Sequence, residues 1–499
     1  MDKDINLKDY FVEVFSAGNY CPDFARKNLE GKYKKYLEIS DKYNRKSVGY
    51  QLSSKETFND WIKYKEGFSQ DLVNNLLDEL DIKKEGTVLD PFIGSGTTAL
   101  VCKTRGINCI GYDILPTSTI SIKAKENIFD YNITELIKIY ELIEKIVVPA
   151  NYRKRVNFVN ISKHAYPNKN DYFIKYVSDY IEKSSFSTET KLLFKLSILN
   201  ALEECSYTKK NGQCLLWDYR SKKVQLTNQQ RLKKGLAPIK KRIIRKDIPD
   251  ARQVILQELK NLIDDIKDIR EDNGNRLCRF TNAQIDYKES SVLFELPKIE
   301  IESVDGVITS PPYCNRYDYT RTYALELAYL GVTDERLKEL REKLLSCTVE
   351  NHSKLEKLKS YYLENKIIDR YDNIINTLNK VDAYKEIMSA LYMREKNNDL
   401  NNKGVITMVE GYFTELSFVI AEMYRILKSG ARVAIVNDNV RYGGEVIPVD
   451  FLSTEIAEKF GFKCEKIYTL KQQKGNSSQQ MAKYGRVPLR KSITIWVKN

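Results

Sequence analysis

Short apolar runs and longer amphipathic stretches alternate along this chain of 499 residues. Apolar runs of this kind, bounded by turn-forming residues, predict buried strands. They lie at residues 87–89, 107–112, 304–307, 433–436 and 493–497. Residues 250–270 instead repeat apolar side chains every three or four positions, which predicts an amphipathic helix. The apolar face of that helix carries Ile255, Leu259, Leu262, Ile263 and Ile266.

One predicted strand ends in the unusual sequence Ser310-Pro311-Pro312-Tyr313. The two prolines remove two backbone donors and fix φ, so the carbonyls there point in set directions. A hydroxyl, a rigid carbonyl and an aromatic ring are therefore presented together at the carboxyl end of a strand. Open α/β sheets bind their ligands at that edge. The combination suits a flat ring that carries an amino group.

A second unit joins a strand, a glycine turn, a helix and another strand across residues 87–113. Gly94 and Gly96 allow a tight turn with close approach to a ligand, and Thr97 or Thr98 is expected to cap the helix. Asp113 ends the second strand, near the spacing at which an acid meets ribose hydroxyls. The unit lacks the third glycine of the dinucleotide fingerprint and the Gly-Lys-Ser/Thr of a phosphate-binding loop. A nucleoside without a phosphate chain fits best; a strand–helix turn without a ligand is the alternative.

The net charge of +13 is concentrated in one block. Residues 209–246 contain 13 basic residues and one acidic residue, Asp218. Such a block in an otherwise balanced chain indicates a polyanion partner, most often nucleic acid. A solvated, lysine-rich surface is the alternative, but the interleaved Trp217 and Tyr219 favour a shaped surface. The residues expected to contact nucleic acid here are Lys222, Lys223, Lys240, Lys241 and Arg242.

Composition narrows the class of protein further. Nine cysteines without a Cys-x-x-Cys pair indicate a reducing cytoplasm rather than a disulfide framework. With only His164 and His352 present, we expect neither a metal site nor a serine–histidine hydrolase. The N-terminus has no signal-peptide pattern, and no apolar window is expected to approach the roughly 18 residues of a membrane span. We therefore expect a soluble, intracellular protein.

Two of these segments resemble the paired signatures of one enzyme family. Residues 90–98 and 310–313 are similar to the two motifs of the amino-group DNA methyltransferases. That family makes N4-methylcytosine or N6-methyladenine with S-adenosylmethionine. Residues 65–73 resemble the segment that precedes the family's glycine turn, and residues 421–431 resemble its helix and turn before the fifth strand. The resemblance covers about residues 60–120, 276–330 and 405–499.

The resemblance implies a fold, a cofactor and roles for named residues. The fold is an α/β, Rossmann-like class I methyltransferase sheet with helices on both faces, plus largely helical insertions. The cofactor is S-adenosyl-L-methionine, with Asp113 at its ribose and Phe68 and Ser69 near its amino-acid end. The other residues expected at the cofactor are Asp90, Phe92, Gly94, Gly96 and Thr97. The residues expected to hold the target base are Ser310, Pro311, Pro312 and Tyr313.

The implied target is the exocyclic amine of a base flipped out of double-stranded DNA. Serine at position 310 favours cytosine N4, and adenine N6 is the alternative because both rings carry an acceptor nitrogen beside the amine. Arg316 is expected to meet a phosphate, with an Arg316–Asp318 loop pair as the alternative. Two other functions stay open, an RNA base methyltransferase and a non-catalytic nucleic-acid-binding subunit. The family further implies a prokaryotic cytoplasm and a cognate restriction endonuclease or defence-system partner.

The order of the motifs predicts the organisation of the chain. The glycine turn comes first and the base-holding motif last, which resembles the permuted class with a target-recognition region between them. The expected segments are an N-terminal extension (1–60), the cofactor half (61–120), a basic, inserted recognition region (121–275), the catalytic half (276–330), a helical insertion (331–403) and the remaining sheet (404–499). Residues 279–282 and Asp286 match an adenine contact only loosely. Residues 475–490 are expected to form either a DNA-facing loop or a plain hairpin.

Overall fold

Each predicted apolar run falls on a strand of the computed structural model, which describes residues 7–49, 52, 55–64, 67–211, 214–271, 282–470, 481–487 and 489–499. Residues 65, 66, 279–281, 475–480 and 488, which belong to segments singled out above, lie outside the described residues. The strands are β1 (Leu37–Ile39), β2 (Thr87–Asp90), β3 (Asn108–Asp113), β4 (Thr208–Asn211), β5 (Cys214–Trp217), β6 (Ile285–Glu289), β7 (Val304–Thr309), β8 (Leu427–Asp438), β9 (Val440–Tyr442), β10 (Glu445–Ile447), β11 (Phe462–Thr469) and β12 (Lys491–Lys498).

Helices fill most of the intervals between these strands. The α-helices of the described chain are α1 (Phe24–Tyr33), α2 (Gln70–Glu79), α3 (Thr97–Arg105), α4 (Pro116–Glu126), α5 (Ile133–Lys145), α6 (Asn168–Glu182), α7 (Thr188–Leu202), α8 (Lys222–Lys233), α9 (Ala251–Glu271), α10 (Val292–Glu295), α11 (Tyr319–Thr322), α12 (Ala324–Tyr329), α13 (Asp334–Lys343), α14 (Leu355–Glu364), α15 (Ile368–Leu378), α16 (Asp382–Lys396), α17 (Gly404–Ile426), α18 (Val449–Phe460) and α19 (Met481–Tyr484). Short 3-10 helices span Leu7–Tyr10, Ala17–Asn19, Lys34–Tyr36 and Leu296–Lys298.

The central sheet has eight strands in the order β1-β11-β12-β8-β7-β2-β3-β6. Strands β6, β3, β2, β7 and β8 are parallel, whereas β12 runs antiparallel to both β8 and β11. From β2 the chain continues to β3 and β6 on one side, and β7 lies on the other side. The strand order therefore reverses between β2 and β7, and open α/β sheets bind ligands in the crevice at such a switch point.

Helices cover both faces of this sheet, as predicted. Leu89, Val307 and Val433 pack into a core with α15, α16, α17 and α18. Their chain neighbours Val88 and Ile308 belong to a different core, formed with α2 and α3. Successive residues of a strand point to opposite faces, so the two cores lie on opposite sides of the sheet. The α/β prediction is confirmed.

The inserted region between β3 and β6 forms a helical body with its own core. The predicted helix is present as α9, and its apolar face is buried, with Ile255, Leu259 and Ile266 fully inaccessible to solvent. It packs against α5, α6 and α7. The strands β4 and β5 pair as an antiparallel hairpin that the sequence patterns did not reveal.

Helix α17 has the length and apolarity of a membrane span over an 18-residue window. This corrects our expectation that no such window exists. In the structure 72% of that window is buried, because α17 packs between the sheet and helices α15, α16 and α18. Burial in this core accounts for the apolar composition.

Two other segments differ from the structure that their sequence predicts. The helix expected to lead into a turn over residues 421–431 ends at Ile426, and β8 begins directly at Leu427, which pairs with Val304 of β7. Strand β1, which lies in the expected N-terminal extension, pairs in parallel with β11 and extends the sheet. Pairing with strands distant in sequence determines both outcomes.

Candidate active site

The carboxyl ends of β2 and β7 border a cleft with about 800 Å³ of empty space, open solvent at its mouth included. The predicted residues that line it are Phe68, Phe92, Gly94, Thr97, Asp113, Ser310, Pro311, Pro312 and Tyr313. The two signature motifs, about 200 residues apart in the chain, thus form one site. Three other predicted residues, Ser69, Asp90 and Gly96, do not line the cleft.

The glycine turn has the left-handed backbone that its sequence predicts, with φ of +53° at Gly94 and +84° at Gly96. A Cβ at Gly96 would come within 2.6 Å of Ile122, so only glycine fits there. The predicted threonine cap of α3 is wrong: the capping position is Gly96 itself, without a side-chain cap. Thr97 donates instead to Asn59 Oδ1 at 2.7 Å.

Asp113 lies where its spacing from the turn predicts. Its Oδ2 accepts from the Gly94 amide at 3.2 Å, and its Oδ1 accepts from the Leu115 amide at 2.8 Å. Burial raises the pKa of this carboxyl to about 7, against the lowering effect of the backbone donors. The cleft therefore contains a carboxyl that changes charge near neutral pH and is held rigidly against the glycine turn.

Asp90 is fully buried behind the cleft and ties its two walls together. Its carboxylate accepts from Thr98 at the start of α3 at 2.6 Å and from Thr309 at the end of β7 at 2.7 Å. It also accepts from the Phe92 amide at 3.1 Å. Burial raises its pKa to about 6. This carboxyl joins the glycine turn to the strand that leads into Ser310.

The Ser-Pro-Pro-Tyr turn presents two hydroxyls side by side. Ser310 Oγ donates to the Tyr313 hydroxyl at 3.0 Å, and both side chains are half-buried. Pro311 and Pro312 are buried. The Lys491 ammonium lies 4.8 Å from the centre of the Tyr313 ring, within cation–π range. The aromatic face is thus held in place from the first residue of β12.

Phe68 and Ser69 sit at the start of α2. Phe68 lines the cleft, and its carbonyl accepts from Asn59 Nδ2 at 3.1 Å. Ser69 is fully buried, and its Oγ accepts from the Leu72 amide at 3.2 Å, which caps α2. Ser69 is therefore a helix cap in this structure, whereas Phe68 lines the cleft.

Comparison with known proteins identifies the family of this fold and cleft. A family model described as "DNA methylase" matches residues 11–123. The Type II methyltransferase M.BsoBI of Geobacillus stearothermophilus is 49% identical over 490 residues, 98% of this chain and 95% of that protein. M.AvaI of Nostoc sp., also a Type II methyltransferase, is 36% identical over 493 residues, with the same shares of both chains. The chain belongs to the Type II amino-group DNA methyltransferases. The Type II methyltransferase M.MjaII of Methanocaldococcus jannaschii is 24% identical over 50% of this chain and 58% of that protein.

The methyltransferase cleft also contains residues that the sequence reasoning missed. Tyr64 lines it and stacks on Tyr323 with a centroid distance of 5.3 Å and an interplanar angle of 10°. Ser290, Ser291 and Val292 line it directly after β6. The rule that ligands lie at the carboxyl ends of strands, applied to β6, would have found these three. Asp286 is exposed within β6 and Asn282 precedes it, and neither lines the cleft.

The predicted DNA-binding residues of the methyltransferase divide into two groups. Lys222, Lys240, Lys241 and Arg242 are exposed. Lys223 instead anchors the structure: it donates to the Asn160 carbonyl at 2.9 Å, and its ammonium lies 4.6 Å from the centre of the Trp217 ring. Burial lowers its pKa to about 8. The basic block of residues 209–246 is therefore less available to a partner than its sequence suggests.

Arg316 does not pair with Asp318, which was the alternative to a phosphate contact. Its Nη1 donates to Asn401 Oδ1 at 3.1 Å. Asp318 pairs instead with Arg341, at 3.0 Å, and with Arg321, at 3.4 Å. Arg316 has a left-handed backbone, with φ of +68°, and its side chain contacts the 331–403 insertion through Asn401.

Replacing Asp90 with alanine should destabilise the methyltransferase and reduce its activity together. Three donors would lose their acceptor in a buried site, at a cost of about 1–3 kcal/mol for each unsatisfied group. The apparent melting temperature should therefore fall by several degrees, with weaker cofactor binding and slower methylation. The exposed Asp130→Ala is the matched control and should leave all three unchanged. A melting temperature equal to that of the wild type would contradict the role of Asp90 as the joint between the walls.

Proposed function

We propose that this methyltransferase transfers the methyl group of S-adenosylmethionine to the N4 amine of a cytosine flipped out of duplex DNA. The observation that carries the proposal is the single cleft at the switch point of the sheet, where the glycine turn and the Ser-Pro-Pro-Tyr turn meet. Two ligands must come within bonding distance in methyl transfer, and two differently built walls suit two ligands. The names of the Type II relatives support DNA as the substrate.

The residues of the cleft fit S-adenosylmethionine. Asp113 offers a carboxylate to the ribose hydroxyls, and Gly94 leaves its backbone open because it carries no side chain. Phe92 and Val292 supply apolar surface for the adenine ring, and Phe68 borders the amino-acid end. When bound, this cofactor supplies an electrophilic sulfonium methyl group. A nucleoside without phosphates also matches the lack of lysine in the glycine turn.

The Ser-Pro-Pro-Tyr turn is built to accept the hydrogens of an amine. The amine of a base is a weak nucleophile because its lone pair is delocalised into the ring. Ser310 donates its own hydrogen to Tyr313, which leaves the lone pairs of Oγ for an amine hydrogen. The Pro311 carbonyl, set by proline geometry, is the second acceptor. Two fixed acceptors favour a pyramidal nitrogen whose lone pair points at the methyl group.

Tyr313 provides the stacking surface for the flipped base. A base inside a duplex cannot reach the cleft, and flipping costs a few kcal/mol that stacking on an aromatic ring offsets. Lys491 lies against the ring and fixes its orientation. Serine at position 310 favours cytosine over adenine as the target base, and cytosine carries its N3 acceptor beside the amine. Adenine presents N1 in the same way, so N6-methyladenine is the product to be distinguished.

Product analysis tests this function directly. Purified protein is incubated with methyl-labelled S-adenosylmethionine and, in parallel reactions, duplex DNA, tRNA or rRNA, and each nucleic acid is digested to nucleosides. We expect the label in N4-methylcytosine. Label in N6-methyladenine would overturn the choice of base, and label in tRNA or rRNA but not DNA would overturn the substrate. Cofactor binding without any transfer would support a non-catalytic subunit instead.

The exposed cations Lys240, Lys241 and Arg242 lie between α8 and α9, and we propose that they contact DNA phosphates together with Lys222 and Arg316. Replacing the three loop residues with glutamine should weaken DNA binding and reduce the slope of log K against log salt by about 2–3, since each phosphate contact contributes about 0.9. Binding at several salt concentrations measures the slope. Glutamine at the exposed Lys357, Lys359 and Lys380 is the matched control. An unchanged slope in the loop variant would remove this loop from the interface.

The cellular setting follows from the same family. We propose that the protein acts in a prokaryotic cytoplasm and protects DNA from a cognate restriction endonuclease. The Type II names of the relatives support this pairing. The test is whether plasmid DNA from cells that express the protein resists an endonuclease specific for the methylated sequence.

A further inference from the structure

A second, larger groove lies in the inserted region, between residues 155–168 and helix α8, with about 1600 Å³ of empty space including open solvent. We call it the polar groove. Its walls carry the cations Arg155, Lys163 and Lys222 and the amides Gln225 and Gln229. Most of this wall lies outside the basic block of the sequence, so only the fold brings these residues together.

The polar groove has a positive electrostatic field. Arg155 is paired with Asp171 at 2.7 Å, whereas Lys163 and Lys222 are exposed side chains. His164, in the same wall, has a pKa lowered by burial and then by the charges of Lys222, Lys163 and Arg155. A concave surface with this sign of charge attracts a polyanion.

Helix α8 presents two amides to the polar groove. Gln225 and Gln229 are exposed and four positions apart, so they lie on the same helix face about one turn from each other. A carboxamide both donates and accepts, which matches the edges of base pairs. Leu226, 40% exposed on the same wall, offers the apolar contact that a thymine methyl group takes. Cations for phosphates and amides for base edges together match nucleic acid.

The helix that carries these amides is held rigidly. Ser221 caps α8, its Oγ accepting from the Val224 amide at 3.3 Å, and Val224 is buried. Lys223 ties the first turn to the opposite wall through the Asn160 carbonyl. Contacts that discriminate between bases need such a support, because small displacements remove the alignment of paired hydrogen bonds.

The polar groove is connected to the catalytic cleft by a short series of contacts. Tyr207 lines the groove and lies three residues before Lys210 of β4, about 10 Å along an extended chain. The Lys210 ammonium lies 4.5 Å from the centre of the Tyr323 ring, and Tyr323 stacks on Tyr64 of the cleft. Groove and cleft are thus linked through Tyr207, Lys210, Tyr323 and Tyr64.

We propose that the polar groove reads the recognition sequence in duplex DNA while the target base occupies the cleft. Gln225 and Gln229 contact base edges in the major groove, and Arg155, Lys163 and Lys222 hold the flanking phosphates. This inference rests on the proposed function, because it assigns the sequence specificity of that same reaction to this second site.

The test compares specificity with binding. Sequencing of DNA from expressing cells first gives the methylated sequence, and synthetic duplexes then carry that sequence or a single base-pair change. In Gln225→Ala/Gln229→Ala, the ratio of kcat/KM between correct and altered duplexes should fall by about tenfold or more at the positions that are read. Cofactor affinity should stay at the wild-type value. The matched control is Gln253→Ala/Gln257→Ala, two exposed glutamines four apart on α9, which should keep the full ratio.

A second variant separates the contacts to base edges from the contacts to phosphates. Lys163→Gln/Lys222→Gln should weaken binding to every duplex alike and lower the salt slope by about 2, with the ratio between duplexes unchanged. If wild-type protein methylates DNA and Gln225→Ala/Gln229→Ala retains full discrimination, the assignment of the polar groove fails and the proposed function stands. If wild-type protein methylates no DNA, the proposed function itself fails. Equal loss of discrimination in the α9 control would also overturn the assignment.

Discussion

Replacing Tyr313 with alanine should reduce kcat/KM for DNA methylation by about 10- to 100-fold and leave cofactor affinity unchanged. Base–aromatic stacking contributes about 1–3 kcal/mol per base, and the alanine variant loses that surface. It also loses the hydroxyl that accepts from Ser310, so Ser310 no longer has a fixed orientation for the amine. Methylation kinetics with DNA as the varied substrate, and calorimetric titration with the cofactor, measure the two effects separately.

The conservative variant Tyr313→Phe isolates the ring from the hydroxyl. The ring remains beside Lys491 and can still stack on a base, so we expect a loss of about tenfold or less. Alanine and phenylalanine variants of equal activity would contradict the stacking role. A large loss of cofactor affinity in Tyr313→Ala would contradict the division of the cleft into a base wall and a cofactor wall.

Replacing Asp113 with alanine should weaken cofactor binding by about 10- to 100-fold, since hydrogen bonds to a charged group contribute about 1.5–3 kcal/mol. Part of this loss arises within the protein, because the Gly94 and Leu115 amides lose their shared acceptor. Methylation at saturating cofactor should recover much of the wild-type rate. A variant that binds cofactor normally would remove Asp113 from the site.

The pKa of Asp113 also predicts a pH dependence of cofactor affinity. Its folded value of about 7 lies above the ordinary carboxyl value near 3.9, so the proton is retained between roughly pH 4 and 7. The ionised form is the better acceptor for ribose hydroxyls. Affinity should therefore be full above pH 7 and fall as the pH is lowered through 7. Asp113→Asn cannot titrate, and an identical pH profile in that variant would contradict the assignment.

Some residues of the cleft could be predicted from local sequence, and others could not. The glycines of residues 94–96, the acid at Asp113 and the Ser-Pro-Pro-Tyr turn were all predictable, because tight turns and proline geometry depend on neighbouring residues alone. The amphipathic helix α9 was predictable from its periodicity. Asp90 and Ser69, expected at the cofactor, are instead a buried joint and a helix cap. Their bonds to Thr309 and Leu72 could not be read from composition or spacing.

The sequence by itself determined the local features of this methyltransferase: a glycine turn, a Ser-Pro-Pro-Tyr turn and a basic block. The tertiary structure alone decided which of those residues meet. It placed two motifs separated by about 200 residues in one cleft, because the strand order reverses between β2 and β7. In the fold Lys223 binds the Asn160 carbonyl, and Arg155, His164 and Gln225 line the same polar groove. Packing between distant segments depends on the whole fold, and no local pattern encodes it.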